Sequence, residues 1–322
     1  MPVSRRGQPR RTRAEDGTSS TAPRRVDAAR RSERLKATHP SNPLTSTATS
    51  SGAKDSALAD YEHLRVARDG AVATVTFNRP HKANALHHAH LAEIEAAALS
   101  FRDDGDTRVV IFTGAGKHFS SGADLTDSGA GGRADPRLVM RRRSARIGER
   151  ATLAVHDMDQ ITIAAWNGAA MGGGAVLATA MDFRIGADDC FMQYPEIDIG
   201  VNLMWKGLPL LMHLAGPSRS KRLVAGGERI HASTLLEWGV IDELVPRAAL
   251  IDTAREWAAR YAAKSPIAAQ MIKQSVNALA GSMDRAVMHM DVDQNILSAA
   301  TEDRAEAIRA YLAKTDPSFN GN

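Results

Sequence analysis

The sequence predicts an α/β fold carried by residues 58 onward, behind a basic tail. Two observations support that reading: short apolar runs alternate with segments of helical periodicity, and the last third of the chain is dominated by helical patterns. His63 to Arg68 alternates in polarity, Asp69-Gly70 is a two-residue turn signal, and Ala71 to Asn78 alternates again. There Val72, Thr74 and Thr76 oppose Ala73, Val75 and Phe77, which predicts a β-hairpin. Leu91, Ile94, Ala98 and Phe101 then recur at helical spacing, and Val109 to Thr113 is an apolar run short enough for a buried strand. Arg142 to Met158 reads as a helix, Ile161 to Trp166 as a buried strand, Gly174 to Met181 as a helix and Phe183 to Gly186 as a strand. Near the C-terminus, Ala305, Ile308 and Leu312 fall on one face of an amphipathic helix.

The net charge of +4 changes meaning once it is divided along the chain. Residues 1–57 hold 10 Arg and 2 Lys against 5 acidic residues, which leaves 29 basic and 32 acidic side chains in the remainder. The tail is rich in Arg, Ser, Thr and Pro and nearly free of large apolar residues, so burial cannot offset its ordering entropy and disorder is expected. It reads as a solvated extension, a nucleic-acid or anionic-surface arm, or an Arg-rich transit segment. No apolar stretch approaches the roughly 20 residues of a bilayer span. The single cysteine, Cys190, excludes an internal disulfide and a Cys-x-x-Cys redox role; a reducing compartment, the cytoplasm, is expected.

Two glycine-bearing segments each follow a buried strand and lead toward a helix: Gly114 to Leu125, and Asn167 to Gly174. Such junctions expose backbone N–H groups, and a helix start adds partial positive charge, which suits a developing oxyanion. Tight packing alone would also explain glycine there. A phosphate loop at Gly116-Lys117 fails on spacing: Ile111 stands where its first Gly is required, and His118 where the Ser or Thr belongs. Gly129, Gly131 and Gly132 follow no strand, so Thr126 to Pro136 reads as a mobile loop. His87, His88 and His90 crowd together without a third ligand at matching spacing, so no metal site is expected. Cys190 reads as core packing. Glu196 is the strongest acid–base candidate, because it follows Phe191-Met192-Gln193-Tyr194-Pro195 and precedes Ile197; burial there would raise its pKa toward neutrality.

Taken together, Asn78-Arg79-Pro80 with Asn84-Ala85-Leu86, Phe119 to Leu125, Ala164 to Gly168 with Gly172-Gly173-Gly174, and Tyr194-Pro195-Glu196 with Gly200 form an ordered pattern. Further marks are Glu228-Arg229-Ile230 through Ala232, Gly239, Val245-Pro246 and Ser265-Pro266 with Lys273. Over about residues 60–319 this pattern resembles the crotonase (enoyl-CoA hydratase/isomerase) superfamily. The resemblance implies a crotonase-like spiral of ββα repeats over 58–255 and a C-terminal helical trimerisation region over 256–322, with trimers usually paired into hexamers. It implies an acyl-CoA thioester as substrate, with CoA as part of that substrate and no separate cofactor or metal. The amides of Ala123 and Gly173 would form the oxyanion hole. Ser121, Ala123, Asp124 and Leu125 would contact CoA through the backbone, with Lys82 near the start of the CoA groove. Tyr311 and Lys314 match the aromatic and Lys that reach CoA, often from a neighbouring subunit.

One departure from the family pattern favours a particular reaction. The best-known hydratases pair two glutamates, and here the first position is Val176, leaving Glu196 alone. Moving a double bond from C3 to C2 needs one base that takes a proton from C2 and returns it at C4, whereas adding water needs a carboxylate pair. The sequence therefore looks more like a 3-enoyl-CoA isomerase; Val176 and Met204 also stand at the two aspartate positions of the dienoyl branch. Val176, Met171, Met204 and Trp205 are expected to wall the acyl pocket, the Met and Trp residues being equally compatible with ordinary core. Two other readings stay open. One is a hydratase that recruits Asp198 or a histidine of the helix near His87. The other is a non-catalytic acyl-CoA-binding or RNA-binding protein using the basic arm, since some relatives bind RNA.

Overall fold

A computed structural model of the chain describes residues 60–125 and 137–322. The basic tail, 1–57, and the glycine-rich stretch expected to be a mobile loop, 126–136, lie outside the described residues. The hairpin forms as the alternation requires. Strands β1 (Leu64–Asp69) and β2 (Val72–Phe77) pair antiparallel with Leu64 opposite Phe77, and Ala73, Val75 and Phe77 are the buried face of β2. Helix α1 (His88–Ser100) buries Leu91, Ile94 and Ala98, and β3 (Val109–Gly114) is buried at every residue, as a strand covered on both faces should be.

The segment expected as one helix over 142–158 is two, α2 (Leu138–Ala145) and α3 (Ile147–His156), separated at Arg146. Strand β4 (Ile161–Trp166) is followed by the three-residue β5 (Ala169–Met171), helix α4 (Gly173–Thr179), β6 (Phe183–Ala187) and β7 (Phe191–Gln193). Then come α5 (Gly207–Val224), β8 (Ile230–His231), α6 (Ala232–Glu237), β9 (Glu243–Val245) and α7 (Leu250–Ala262). The chain ends in α8 (Pro266–Ala280), α9 (Asp284–Met288), α10 (Asp291–Ser298) and α11 (Glu302–Ala313).

The main sheet has the order β1-β2-β3-β4-β6-β9, parallel from β2 onward, and β5-β7-β8 form a second, small sheet. Parallel neighbours need helical crossovers, which is why the strands alternate with helices along the sequence. The core between these layers is filled by Phe77, Phe101, Phe112, Phe119, Trp166 and Tyr194, all nearly inaccessible. Two ionic staples cross it. Arg184 is buried and pairs with Asp242 at 3.2 Å, while Lys273 of α8 reaches Asp182 at 2.7 Å and donates to the Gln160 carbonyl at 2.8 Å.

Helix α11 packs through small residues rather than the large ones of its apolar face. Ala307 and Ala310 are buried, whereas Ile308 and Leu312 are exposed. Along α8, Ile267, Met271, Ile272, Val276 and Leu279 are likewise exposed, and Ile272 and Val276 line a groove of about 600 Å³. No helix among the described residues is long and apolar enough to cross a membrane.

Candidate active site

The first glycine-bearing segment is fastened on both sides. Phe119 is buried beside Phe77, with ring centroids 5.2 Å apart. The Ser120 amide donates to the Ala169 carbonyl at 3.0 Å, and the Met171 amide to the Ser120 carbonyl at 3.0 Å, forming a parallel bridge to β5. One step on, the Leu86 amide donates to the Gly122 carbonyl at 2.8 Å and the Asp124 amide to the Leu86 carbonyl at 3.1 Å. Ala123 lies between these anchored neighbours, and no acceptor takes its own amide among the described residues. The expected approach to a helix after Leu125 falls outside the described residues; among those described, these bridges hold the Ala123 amide.

The Asn78-Arg79-Pro80 and Asn84-Ala85-Leu86 motifs supply the backing. Asn84 is buried; its Nδ2 donates to the carbonyls of Ala115 at 2.9 Å and His118 at 2.7 Å, and its Oδ1 accepts from the Arg79 amide at 2.9 Å. Arg79 donates through Nη1 to the Ala85 carbonyl and through Nη2 to Asp124 Oδ2 at 3.0 Å. Both side chains of that ion pair are largely withdrawn from water, so each compensates the other's desolvation. Asp124 Oδ2 is thus tied inward to Arg79.

The second segment begins with Gly172, whose amide donates to the Gln193 carbonyl at 2.9 Å and whose φ of +47° favours glycine. A Cβ there would sit 2.6 Å from Glu196 Oε1, and a Cβ on Gly173 would sit 1.9 Å from the Trp205 ring. The absence of side chains therefore brings a carboxylate and an indole against the start of α4. Gly173 opens that helix, where amides lack intrahelical partners, and no acceptor takes its N–H among the described residues.

Glu196 follows β7 and the fully buried Tyr194, and begins a 3-10 turn over Ile197–Ile199. The residue as a whole keeps some exposure, but Oε2 is covered and has no hydrogen-bond partner. Burial raises its pKa to about 7, with the Asp198 charge adding to the shift. A cavity of about 200 Å³ lies beside it, bordered by Ala123, Leu125, Gly173, Val176, Met204 and Trp205. Trp205 and Lys206 both take left-handed backbone angles, φ +64° and +60°. The Lys206 amide donates to Asp291 Oδ2 at 2.7 Å and its Nζ pairs with Glu149 at 3.3 Å, which holds the strained pair in place.

Not every expected residue borders this cavity. Met171 lies on β5, its carbonyl against Gly122, and is absent from the cavity wall. The Ser121 hydroxyl lies 3.4 Å from the Lys82 carbonyl, so these two adjoin outside the cavity. Tyr311 and Lys314, at the end of α11, are exposed and do not border the cavity of their own chain. Asp198 is exposed beside Gly227 and does not border the cavity. His87 accepts the His90 amide through Nδ1 at 2.9 Å and caps α1. His90 is buried edge-on to Phe77, and burial lowers its pKa to about 3. Among the described residues no three His, Cys, Asp or Glu side chains are grouped to hold a metal ion. Cys190 is buried, its thiol pushed up to about 12 by desolvation.

The wall also contains residues that no sequence signal singled out. Ile199, Val201 and Leu203 come from the segment after Glu196, and Asn295, Ala299 and Arg304 from the C-terminal helices.

The sequence profile described as enoyl-CoA hydratase/isomerase matches residues 67–322. Crotonyl-CoA hydratase of Syntrophomonas wolfei is 30% identical over 261 residues, covering 80% of this chain and 98% of that protein. Carnitinyl-CoA dehydratase of Citrobacter koseri is 33% identical over 273 residues, covering 81% and 99%. A solved enoyl-CoA hydratase from Bacillus anthracis superimposes with a TM-score of 0.63 at 29% identity, over 81% of this chain and all of that one. Matches that run through both glycine-bearing segments, Glu196 and the terminal helices establish that this chain is a crotonase-fold enzyme belonging to the enoyl-CoA hydratase/isomerase family.

Proposed function

We propose that the chain processes an enoyl thioester of CoA by holding its carbonyl oxygen on the amides of Ala123 and Gly173 and moving a proton with Glu196. The observation that carries this reading is the covered, unpartnered Glu196 Oε2 in a cavity that both amide-bearing residues border. A carboxyl raised to about 7 is poised to take and return a proton near neutrality. Two free amides aimed at the thioester oxygen stabilise the enolate formed when C2 loses its proton, each contributing on the order of 3 kcal/mol to the rate. CoA is then held along Ser121, Asp124, Leu125 and Lys82, with Tyr311 and Lys314 arriving from a neighbouring copy. No metal or redox step is required, because the thioester supplies the activation.

Of the reactions open to this arrangement, isomerisation of a 3-enoyl to a 2-enoyl thioester matches it best. Val176 is buried and apolar where a second carboxylate would stand, so one group must serve both carbon centres. Glu196 removes the C2 proton and delivers it at C4, and the electron pair of the C2–H bond moves through the dienolate. A second reading is hydration of a 2-enoyl thioester, favoured by the names of the relatives and needing a proton-managing partner outside the described wall. Assaying 3-enoyl-CoA isomerisation beside 2-enoyl-CoA hydration separates them: the dominant rate names the reaction, and loss of both in Glu196→Gln identifies the base. The exposed apolar face of α8 and its groove support a homotrimer, the trimers pairing to hexamers, with 256–322 as the assembling region. Sedimentation of the wild type against Met271→Asp tests this, the variant being expected to run as a smaller species.

A further inference from the structure

The far wall of the Glu196 cavity carries a cation with no counter-ion. Arg304 of α11 borders the cavity beside Asn295 of α10 and Ala299. Its Nη1 donates to the Ile199 carbonyl, at the end of the turn that begins with Glu196. No carboxylate lies within ion-pair distance of it among the described residues, and the neighbouring acids are already engaged. Asp303 accepts from the amides of Asn320 at 2.7 Å and Gly321 at 3.1 Å, Glu302 accepts from Asn320 Nδ2 at 3.0 Å, and Glu306 pairs with Arg309 at 2.6 Å. The two buried arginines, Arg79 and Arg184, instead each hold a carboxylate. Desolvation lowers the Arg304 pKa, and no neighbouring charge opposes it. A guanidinium half-withdrawn from water without an acid is costly unless a ligand completes it.

With Nη1 committed to the backbone, the Nε and Nη2 edge remains, the planar fork that matches a carboxylate through two parallel hydrogen bonds. The cavity, about 200 Å³, falls below the size of a pocket for a drug-sized ligand, so it admits a short acyl group while the nucleotide stays outside. We propose that Arg304 receives a carboxylate at the distal end of the acyl chain, making the substrate class a short enoyl-CoA thioester with an ω-carboxyl group. This rests on the reading in which the thioester end of the same group meets Ala123, Gly173 and Glu196. An acyl group ending in a quaternary ammonium is excluded by the same charge.

Equilibrium titration of glutaryl-CoA and pentanoyl-CoA, saturated esters that differ only in a terminal carboxylate for a methyl, tests the assignment without requiring turnover. The wild type is expected to bind glutaryl-CoA more tightly by roughly tenfold or more, the effect of hydrogen bonds to a charged group. Arg304→Met should abolish that preference while leaving affinity for free CoA unchanged, and Arg304→Lys should retain part of it. A wild-type preference for pentanoyl-CoA overturns the proposal, and that arm needs no variant to fold. An unchanged ratio in Arg304→Met overturns it as well, leaving Arg304 a strap on the Ile199 carbonyl. If neither ester binds better than free CoA, the acyl group does not occupy this cavity, and the catalytic reading fails together with the proposal.

Discussion

The cavity is closed by two walls of different construction, and their arginines expose the difference. Behind the wall contributed by the α/β core, Arg79 is locked to Asp124 at 3.0 Å and to the Ala85 carbonyl, and it stiffens the segment that carries the Ala123 amide. On the wall contributed by the C-terminal helices, Arg304 has a backbone carbonyl and, among the described residues, no acid. The core wall pairs its charged side chains internally with one exception among the described residues, the Glu196 carboxyl. The helical wall leaves its charge open. Where a fold compensates a charge, the charge serves the fold; where it does not, the geometry is set for something that arrives later.

The sharpest way to break this comparison is to remove the core wall's exception. Glu196→Gln should lower turnover by about 10²–10⁴-fold while acyl-CoA affinity, measured by titration, stays close to wild type. Turnover within tenfold of wild type would mean that another base acts. The next largest effect separates the arginines by stability. Arg79→Met removes the buried cation paired with Asp124 and should cost about 3–5 kcal/mol in urea unfolding. Arg304→Met loses one hydrogen bond and should cost about 1 kcal/mol in the same experiment. Equal costs would erase the distinction between the walls.

A third effect follows from the Glu196 titration. Its pKa in the folded protein, about 7, lies above the ordinary 4.5, so the fold favours the neutral acid. The associated stability is fully present below pH 4.5 and is lost as the pH rises through 7. Glu196→Gln removes that penalty and should exceed the wild type by about 3 kcal/mol at pH 8, and by nothing at pH 4. In the wild type, turnover as a general base should rise through about pH 7 as the carboxylate forms. The smallest effect is the roughly tenfold ester preference assigned to Arg304.

Much of the core wall was legible in the sequence because its determinants are local. The hairpin alternation, the Gly172-Gly173-Gly174 run and the Pro195-Glu196 step each act within a few residues of where they are written. Even so, the reason for the glycines was not legible: they admit Glu196 and the Trp205 ring, partners more than twenty residues away. The helical wall was opaque for a different reason. Arg304 and Asn295 meet Glu196 across about 100 residues, and the periodicity of α11 pointed to Ile308 and Leu312, whereas the helix docks through Ala307 and Ala310. The strands β5, β7 and β8 have two or three residues each, too few to display a period.

The left-handed pair at Trp205 and Lys206 ties catalytic readiness to the end of the chain. Its clasp is Asp291, at the beginning of α10, so the backbone that seats the indole against Gly173 is held by a side chain 85 residues further along the chain.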